Sequence, residues 1–347
     1  MRNRFFAAVA LGVLVLHLAG SSLADIKGKK AQANQLVSLL PASDGVMTLD
    51  VKRFFGVALP KILSANQPML NKILGKIDEV RSKTGIDIRQ FEHLAAGVTV
   101  KQIGTKKYDL DPVIIARGQI NAGALTAAAK LASNGKYREE KAGGKTIYVF
   151  AAKEIAAQNK PQNTGAKRSA TIDKVIGRLS TEIAVAVLDA NTVAFGALPL
   201  VRQTLEGRTR VGTDLTNLLS RNEGSVVNFA AKLPAGMRAF LPLDIDELGK
   251  NIDSIQYVFG NMDVVGENTT VHMTATTLQN AQAQGLLETL EGLQIIGKIA
   301  LGGSKNADRQ VYARLIENAR FSAKGNEVML DLQIPQADID VLVGGLK

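Results

Sequence analysis

The chain has 347 residues and no cysteine, which excludes disulfides, zinc–thiolate sites, iron–sulfur clusters and cysteine nucleophiles. Hydrophobic residues make up 46% of it, enough to bury the core of two ordinary domains or one large one. The net charge of +10 is spread thinly, and aromatic residues are only 5% with no tryptophan. Because single-strand binders combine a basic groove with stacking aromatics, this composition argues against nucleic-acid binding.

The first 24 residues have the pattern of an export signal. Arg2 and Arg4 precede an apolar run from Phe5 to Leu18, and Ser22-Leu23-Ala24 is typical of a cleavage site. This run is shorter than the roughly 20 residues that a membrane-spanning helix needs. We therefore expect residues 1–24 to be a signal peptide that is cleaved near Ala24. The mature protein would be periplasmic or extracellular, have no transmembrane segment, and carry a net charge of +8 after +10 loses Arg2 and Arg4.

After a polar lead at residues 25–35, the first half of the chain alternates strand and helix patterns. Residues 151–180 include the strongly polar stretch 158–169 and predict a flexible loop within the fold. The predicted elements are a strand at 45–51, an amphipathic helical pair at 52–83, a hairpin of 94–103 and 112–120, an alanine-rich helix at 122–132, a hairpin of 137–141 and 146–150, a hairpin of 183–188 and 193–195, and helices at 200–206 and 214–220.

The second half repeats this order. A strand at 224–234 corresponds to 45–51, a hairpin of 254–259 and 270–277 corresponds to 94–120, and a helix at 281–301 stands where 122–132 stood. The segments 191–199 and 326–335 each run from an asparagine through a strand to a proline, where a final helix begins. The sequence therefore predicts an α+β fold of two similar sheet-plus-helix units, at 36–207 and 208–347, with mainly antiparallel strands.

This layout resembles uncharacterised exported bacterial proteins of the domain-of-unknown-function type. The resemblance rests on Asp111-Pro-Val-Ile-Ile-Ala-Arg-Gly118, followed by a helix, and on Tyr137 to Tyr148. It covers most of the mature chain, but its motifs are loose. It implies a duplicated α+β fold and residence in the envelope, and no catalytic residue can be transferred from it.

Two short motifs mimic catalytic signatures. Gly143-Gly-Lys-Thr146 is similar to the end of a phosphate-binding P-loop, but Glu139 stands where the first glycine is needed, and a strand pattern follows instead of a helix. A hairpin turn explains it better. Ser133-Asn-Gly-Lys136 has the Ser-x-x-Lys spacing of penicillin-interacting acyl transferases, but Gly135 is expected to end a helix there. The companion motifs of that family are absent from the sequence, so we interpret this segment as a turn.

The remaining candidates for chemistry are isolated. His93 and His272 have no histidine or acidic neighbour at metal-binding spacing, so each is expected to be an ordinary polar side chain. The acidic pairs Asp109-x-Asp111, Asp244-x-Asp246 and Asp338-x-Asp340 do not continue into a calcium loop. Asn268-Thr-Thr270 matches a glycosylation sequon, which has little meaning in a bacterial host. We assign no catalytic, cofactor-binding or metal residue and no cofactor.

The predicted helix at 281–301 has a broad apolar face. Packing on a sheet is the default interpretation, and a groove for lipid or a partner is the alternative. The apolar face is formed by Leu286, Leu287, Leu290, Leu293, Ile296 and Ile299.

Export, duplication and missing catalytic motifs favour one hypothesis. The chain is expected to be a non-enzymatic envelope protein that binds or scaffolds an unknown envelope protein or a hydrophobic ligand. Two alternatives stay open: an exported hydrolase that uses carboxylates distant in sequence, and a carrier of lipids or other hydrophobic ligands.

Overall fold

A computed structural model of the chain describes residues 35–84, 87–104, 107–133, 135–151, 182–221, 224–233, 251–303 and 306–344. The predicted signal peptide and nearly all of the predicted loop at 151–180 lie outside these residues. Adjacent strands in the described pairings are antiparallel, and several helices pack against strands, so the predicted α+β class with mainly antiparallel strands is confirmed.

The described strands and helices follow the predicted order closely. The strands are β1 Gly45–Asp50, β2 Phe91–Gly104, β3 Lys107–Gly118, β4 Tyr137–Ala142, β5 Lys145–Ala151, β6 Glu182–Asp189, β7 Thr192–Gly196, β8 Val227–Lys232, β9 Ile255–Val265, β10 Asn268–Thr277, β11 Arg320–Lys324 and β12 Glu327–Pro335. The helices are α1 Val51–Arg53, α2 Leu59–Ile62, α3 Gln67–Thr84, α4 Ala122–Ala132, α5 Leu198–Glu206, α6 Thr213–Ser220, α7 Asn280–Gly302, α8 Ala307–Asn318 and α9 Gln336–Gly344. A π-helical segment, Phe54–Ala58, joins α1 to α2, and a 3-10 turn, Ile88–Gln90, precedes β2.

The chain divides into two compact units. The amino-terminal unit comprises residues 35–52 and 74–216 of the described chain. Its strands run in the order β1-β2-β3-β7-β6-β5-β4. Helix α5 contacts β5, β6 and β7, and α4 contacts β6. Fully buried side chains such as Ile115, Ile147 and Val201 form its core.

The carboxy-terminal unit comprises residues 53–73 and 217–344 of the described chain, with strand order β8-β9-β10-β12-β11. Residues 53–73 belong to this unit because they form hydrogen bonds with helix α9, near the carboxy-terminal end of the described chain. Asn66 Nδ2 donates to the carbonyl of Val343 at 2.6 Å, and Ser64 Oγ donates to Asp340 Oδ1 at 3.0 Å. Phe259, Met262 and Leu286 are among its fully buried side chains.

The strand orders of the two units correspond: β1-β2-β3-β7-β6 matches β8-β9-β10-β12-β11 strand for strand. In both units, the second strand of the last hairpin lies beside the central hairpin. In the amino-terminal unit β7 pairs with β3, and in the carboxy-terminal unit β12 pairs with β10. That residues 36–207 and 208–347 are two repeats of one unit remains a prediction. The shared strand order is the observation that bears on it.

Two features were not anticipated from the sequence. The polar segment 104–111 was expected to connect two strands, but β3 begins at Lys107, and Lys101 of β2 forms an ion pair with Asp111. Helix α8 and strand β11 follow α7 without having been predicted. Asn306 caps α8 by accepting hydrogen bonds from the backbone N–H groups of Asp308 and Arg309.

Candidate functional site

Helix α7 is anchored to the sheet through its amino-terminal half. Ala283 and Leu286 are buried against Val328 of β12, and Leu287 and Leu290 pack around them. The backbone N–H of Gln279 donates to Gln282 Oε1 at 3.1 Å, which fixes the start of the helix. The predicted packing of this helix on a sheet is therefore confirmed for its first half.

The carboxy-terminal half of α7 packs on α8. Gln294 Nε2 donates to the carbonyls of Ile316 and Ala319, at 2.6 and 2.7 Å, and so satisfies acceptors at the end of α8. A β-carbon added at Gly297 would lie 2.9 Å from Ile316 Cδ1, so glycine permits this close approach. This side of α7 is therefore covered by α8.

The opposite side of that half carries three exposed isoleucines. Ile295, Ile296 and Ile299 expose 59%, 60% and 78% of their surface. At about 100° per residue, they lie within roughly a third of the helix circumference. We call Ile295, Ile296 and Ile299 the isoleucine surface. The sequence listed Ile296 and Ile299 with the buried leucines of one face, but the structure places them in solvent.

Charge changes along α7. Glu288 and Glu291 lie in the helix just before the isoleucine surface. From residue 292 to residue 303 the only charged residue is Lys298, whose Nζ lies 4.0 Å from Glu317 Oε1 of α8. The outward side of α7 therefore changes from polar to apolar along its length. An exposed, uncharged group of large aliphatic side chains is typical of a contact surface for lipid or protein.

Both motif interpretations from the sequence are confirmed as turns. Gly143 and Gly144 have φ of 54° and 72° and form the two-residue connection of the β4–β5 hairpin. Ser133 lies just after α4, where its Oγ donates to the carbonyl of Lys130 at 2.8 Å. Lys136 donates its backbone N–H to the carbonyl of Ser133. No nucleophile is presented on a helix face there.

Both histidines of the described chain lie next to charged side chains. His93 is buried in β2 between β1 and β3, opposite Asp50 and Arg117. His272 is exposed in β10, where Nδ1 contacts Asp331 directly across the strand pair. Within the described ranges, no group of three or more histidine, aspartate or glutamate side chains is arranged to hold a metal ion.

The described acidic pairs are held in ion pairs and hydrogen bonds. Asp338 is buried in the first turn of α9 and accepts from Arg314 Nε at 2.9 Å. Its hydrogen bond raises the pKa of Arg314. Asp340 accepts from Ser64 and from Gln336 Nε2, while Asp111 pairs with Lys101. Asp244 and Asp246 lie outside the described residues.

Four carboxyl groups of the described chain have pKa values shifted by their surroundings, all downward: Asp87, Glu92, Glu140 and Glu327. In each, the largest cause is a hydrogen bond from a cationic side chain, such as Arg221 to Glu327. A general acid in a glycoside hydrolase requires the opposite shift. These four groups are therefore suited to structural ion pairing.

Sequence reasoning missed Ile295, which lies on the side of α7 opposite Leu286 and is exposed. The pattern Gly292-Leu-Gln-Ile-Ile-Gly-Lys-Ile299 contains the signal, because Ile295 and Ile299 are four positions apart and so lie on one side of the helix, away from Leu286 and Leu290. No helix of the described chain meets the length and hydrophobicity that a membrane crossing requires.

Comparison with known proteins gives no family. No protein-family model and no curated protein sequence matches this chain. Solved structures of TP0453 are similar over most of their length. Crystal form I gives a TM-score of 0.41 at 10% identity, covering 90% of this chain and 97% of that one. Crystal form IV gives 0.43 at 10% (92% and 100%), and crystal form III gives 0.43 at 9% (89% and 98%). Since these TM-scores are below 0.5, we base no assignment on them.

Proposed function

We propose that this chain is an exported, non-enzymatic binding protein of the bacterial envelope that attaches reversibly to a membrane surface through the isoleucine surface. The observation that carries this proposal is the exposure of Ile295, Ile296 and Ile299 on a helix segment with a single charge. Export by the signal at residues 1–24 and the duplication of one α+β unit are parts of the same proposal. The matching strand orders of the two units support the duplication.

The strength of such an attachment follows from the exposed area. Together the three side chains expose the equivalent of about two isoleucines, and burying each is worth about 1.5–3 kcal/mol. The apolar contribution is therefore about 3–6 kcal/mol. A single myristoyl chain gives marginal, reversible membrane binding of a similar order. The isoleucine surface thus suits reversible contact.

Charge supplies the second contribution. Each lysine or arginine close to an anionic bilayer adds about 1 kcal/mol. The +8 expected of the mature chain is spread thinly, and Lys298 is the cation next to the isoleucine surface, so this contribution is smaller than the apolar one. A helix face is convex, so it fits the interfacial region of a bilayer better than it encloses a single lipid. These features favour membrane attachment over the carrier hypothesis. No described feature favours the hydrolase.

The test is vesicle flotation with the exported protein. The full chain is expressed in a bacterium, recovered from the exported fraction, and its amino terminus determined, which also tests cleavage near Ala24. We expect it to float with vesicles containing anionic lipid and more weakly with zwitterionic vesicles. The triple variant Ile295→Ser, Ile296→Ser, Ile299→Ser should bind vesicles at least about 100-fold more weakly than the wild type.

A matched control exists in the same chain. Leu110, Val265 and Leu278 expose 51%, 62% and 65%, and their triple serine variant should float like the wild type. All proteins are compared by circular dichroism and urea midpoint. Equal flotation of wild type and the isoleucine variant would refute the membrane role. The membrane role would also be refuted if the wild type does not float and the isoleucine variant instead loses a dimer or a captured envelope protein. The isoleucine surface would then bind a protein partner.

A further inference from the structure

Strand β11 is the outer strand of the sheet in the carboxy-terminal unit. It pairs with β12 on one side and stands at the end of the described strand order on the other. A two-residue turn joins β11 to β12, so the pair that flanks the turn, Lys324 and Glu327, exchanges both of its backbone hydrogen bonds. Because hydrogen-bonded pairs alternate along an antiparallel ladder, the backbone N–H and C=O groups of Phe321 and Ala323 point away from β12.

These outward groups form an open edge. Among the described residues, no hydrogen bond from another element reaches the backbone of Phe321 or Ala323. Unpaired N–H and C=O groups along an outer strand can bond the backbone of an extended segment, which then adds a strand to the sheet. The geometry therefore offers a main-chain docking site.

The side chains of β11 give this edge one sign of charge. Arg320 and Lys324 are exposed at the two ends of the strand and lie on the same face, with Ser322 between them. We call Arg320 and Lys324 the β11 cations. The residues opposite them on β12 are both acidic, Asp331 and Glu327.

Both of these acidic residues are engaged elsewhere. Glu327 accepts from Arg221 Nη1 and Nη2 at 2.5 and 2.9 Å, and Asp331 contacts Nδ1 of His272. Within the described part of the chain, the side chains of the β11 cations form no ion pair or hydrogen bond. Charge alternates from β12 to β11, and an acidic strand outside β11 would continue this alternation.

A second copy of this chain is a poor occupant of the edge. Antiparallel pairing of β11 with itself uses all of the outward backbone groups only when Ser322 lies on the two-fold axis. In that register Arg320 stands opposite Lys324 twice, and like charges directly opposite each other destabilise a strand pair. Charged side chains on outer strands commonly prevent such self-association.

The outer strand of the amino-terminal unit, β4, does not select a partner in this way. Its charged side chains have both signs and are largely paired within the unit: Arg138 with Glu182, Glu139 with Lys130, and Glu140 with Arg202.

We propose that the open edge of β11 binds an extended acidic segment of another protein, which adds a strand to the sheet of the carboxy-terminal unit. In the register that uses both outward residues, acidic residues of the segment lie opposite Arg320 and Lys324, and a small polar residue lies opposite Ser322. The two residues between them lie on the other face, beside the half-buried Phe321 and Ala323, and are apolar. This site is separate from the isoleucine surface and does not depend on membrane attachment.

Fluorescence anisotropy of labelled peptides with the full exported chain tests this assignment. The acidic peptide is Ser-Glu-Val-Thr-Val-Glu-Ser, and the basic peptide has lysine in place of both glutamates. The wild type should bind the acidic peptide about fivefold or more tightly than the basic one, because two cross-strand pairs change from opposite to like charge. A third peptide is the acidic one with N-methyl groups on both valines. It should bind much more weakly, because the valines lie opposite Phe321 and Ala323 and lose their donors to the edge.

The double variant Arg320→Gln, Lys324→Gln should bind the acidic and basic peptides about equally. The matched control is Lys141→Gln, Lys145→Gln, which removes the same charge from the β4–β5 hairpin and should keep the preference of the wild type. All four lysine and arginine side chains are exposed, so neither variant should shift the urea midpoint appreciably.

Three results would each overturn the proposal. These are equal binding of the acidic and basic peptides by the wild type, undiminished binding of the N-methylated peptide, and an unchanged preference in the double variant at positions 320 and 324. Light scattering tests the second copy as occupant. A wild-type dimer that dissociates in Ala323→Pro, which removes an outward N–H, would also overturn the proposal.

Discussion

The two sides of α7 give a sharp test of how this helix sits in the protein. Leu286 is 2% exposed and packs with Ala283 and Val328, whereas Ile299 is 78% exposed on the same helix. Leu286→Ala removes buried atoms and leaves a cavity, which costs about 2–5 kcal/mol. Ile299→Ala removes solvent-exposed atoms and should change the free energy of unfolding by about 0.5 kcal/mol or less.

Urea unfolding followed by circular dichroism measures both variants. With a slope of about 3 kcal/mol per M, a loss of 3 kcal/mol lowers the midpoint by about 1 M. Ile299→Ala should leave the midpoint nearly unchanged, and alanine's higher helix propensity acts in its favour. A large loss of stability in Ile299→Ala, or none in Leu286→Ala, would show that α7 is rotated about its axis relative to the described arrangement. The isoleucine surface would then not exist.

Two further predictions concern the hairpin turn and an ion pair. Gly143→Ala should lower the thermal midpoint more than Gly144→Ala, because both positions have positive φ but only at Gly143 would a β-carbon meet the backbone, 2.3 Å from the carbonyl oxygen of Leu205. Equal losses would contradict this contact. Arg221 lowers the pKa of Glu327, so their pairing stabilises the fold above the unfolded carboxyl pKa of about 4.5 and is lost as pH falls through the lower folded value. Arg221→Gln should therefore reduce stability at pH 7 more than at pH 3 in urea titrations, and a pH-independent loss would refute the linkage.

The element order was predictable because each segment carries a local signal. The strand at Gly45–Asp50 and the helix at Ala122–Ala132 follow from period-2 alternation and from an alanine-rich run ended by Gly135. The two turn motifs were recognised because their flanking residues form strands or end a helix. Helix α8 was missed because only Val311 is fully buried, so its apolar stripe is narrow and polar residues dominate the segment.

Neither the packing of α4 on the β4–β5 hairpin nor the isoleucine surface could be assigned from the sequence. Lys130 and Tyr148 are separated by a turn and a strand, and only the packing of α4 on the hairpin brings the amine over the ring. For α7, the sequence shows isoleucines and leucines together but not where the sheet ends. The residues of α7 in or against the buried cluster with Val328 extend as far as Leu290, and the later isoleucines are exposed.

The bond between Asn66 and Val343 also has a consequence for synthesis. Residues 53–73 are synthesised long before their partners in α9, since Asn66 and Val343 are 277 positions apart in the chain. Closing a loop of that length must precede the contact, and structures rich in such distant contacts fold slowly. The carboxy-terminal unit therefore completes its packing only after α9 has been synthesised and has left the ribosome. A chain truncated before α9 would lose the contacts that α2 and Asn66 make with α9, even though all of its strands would be present.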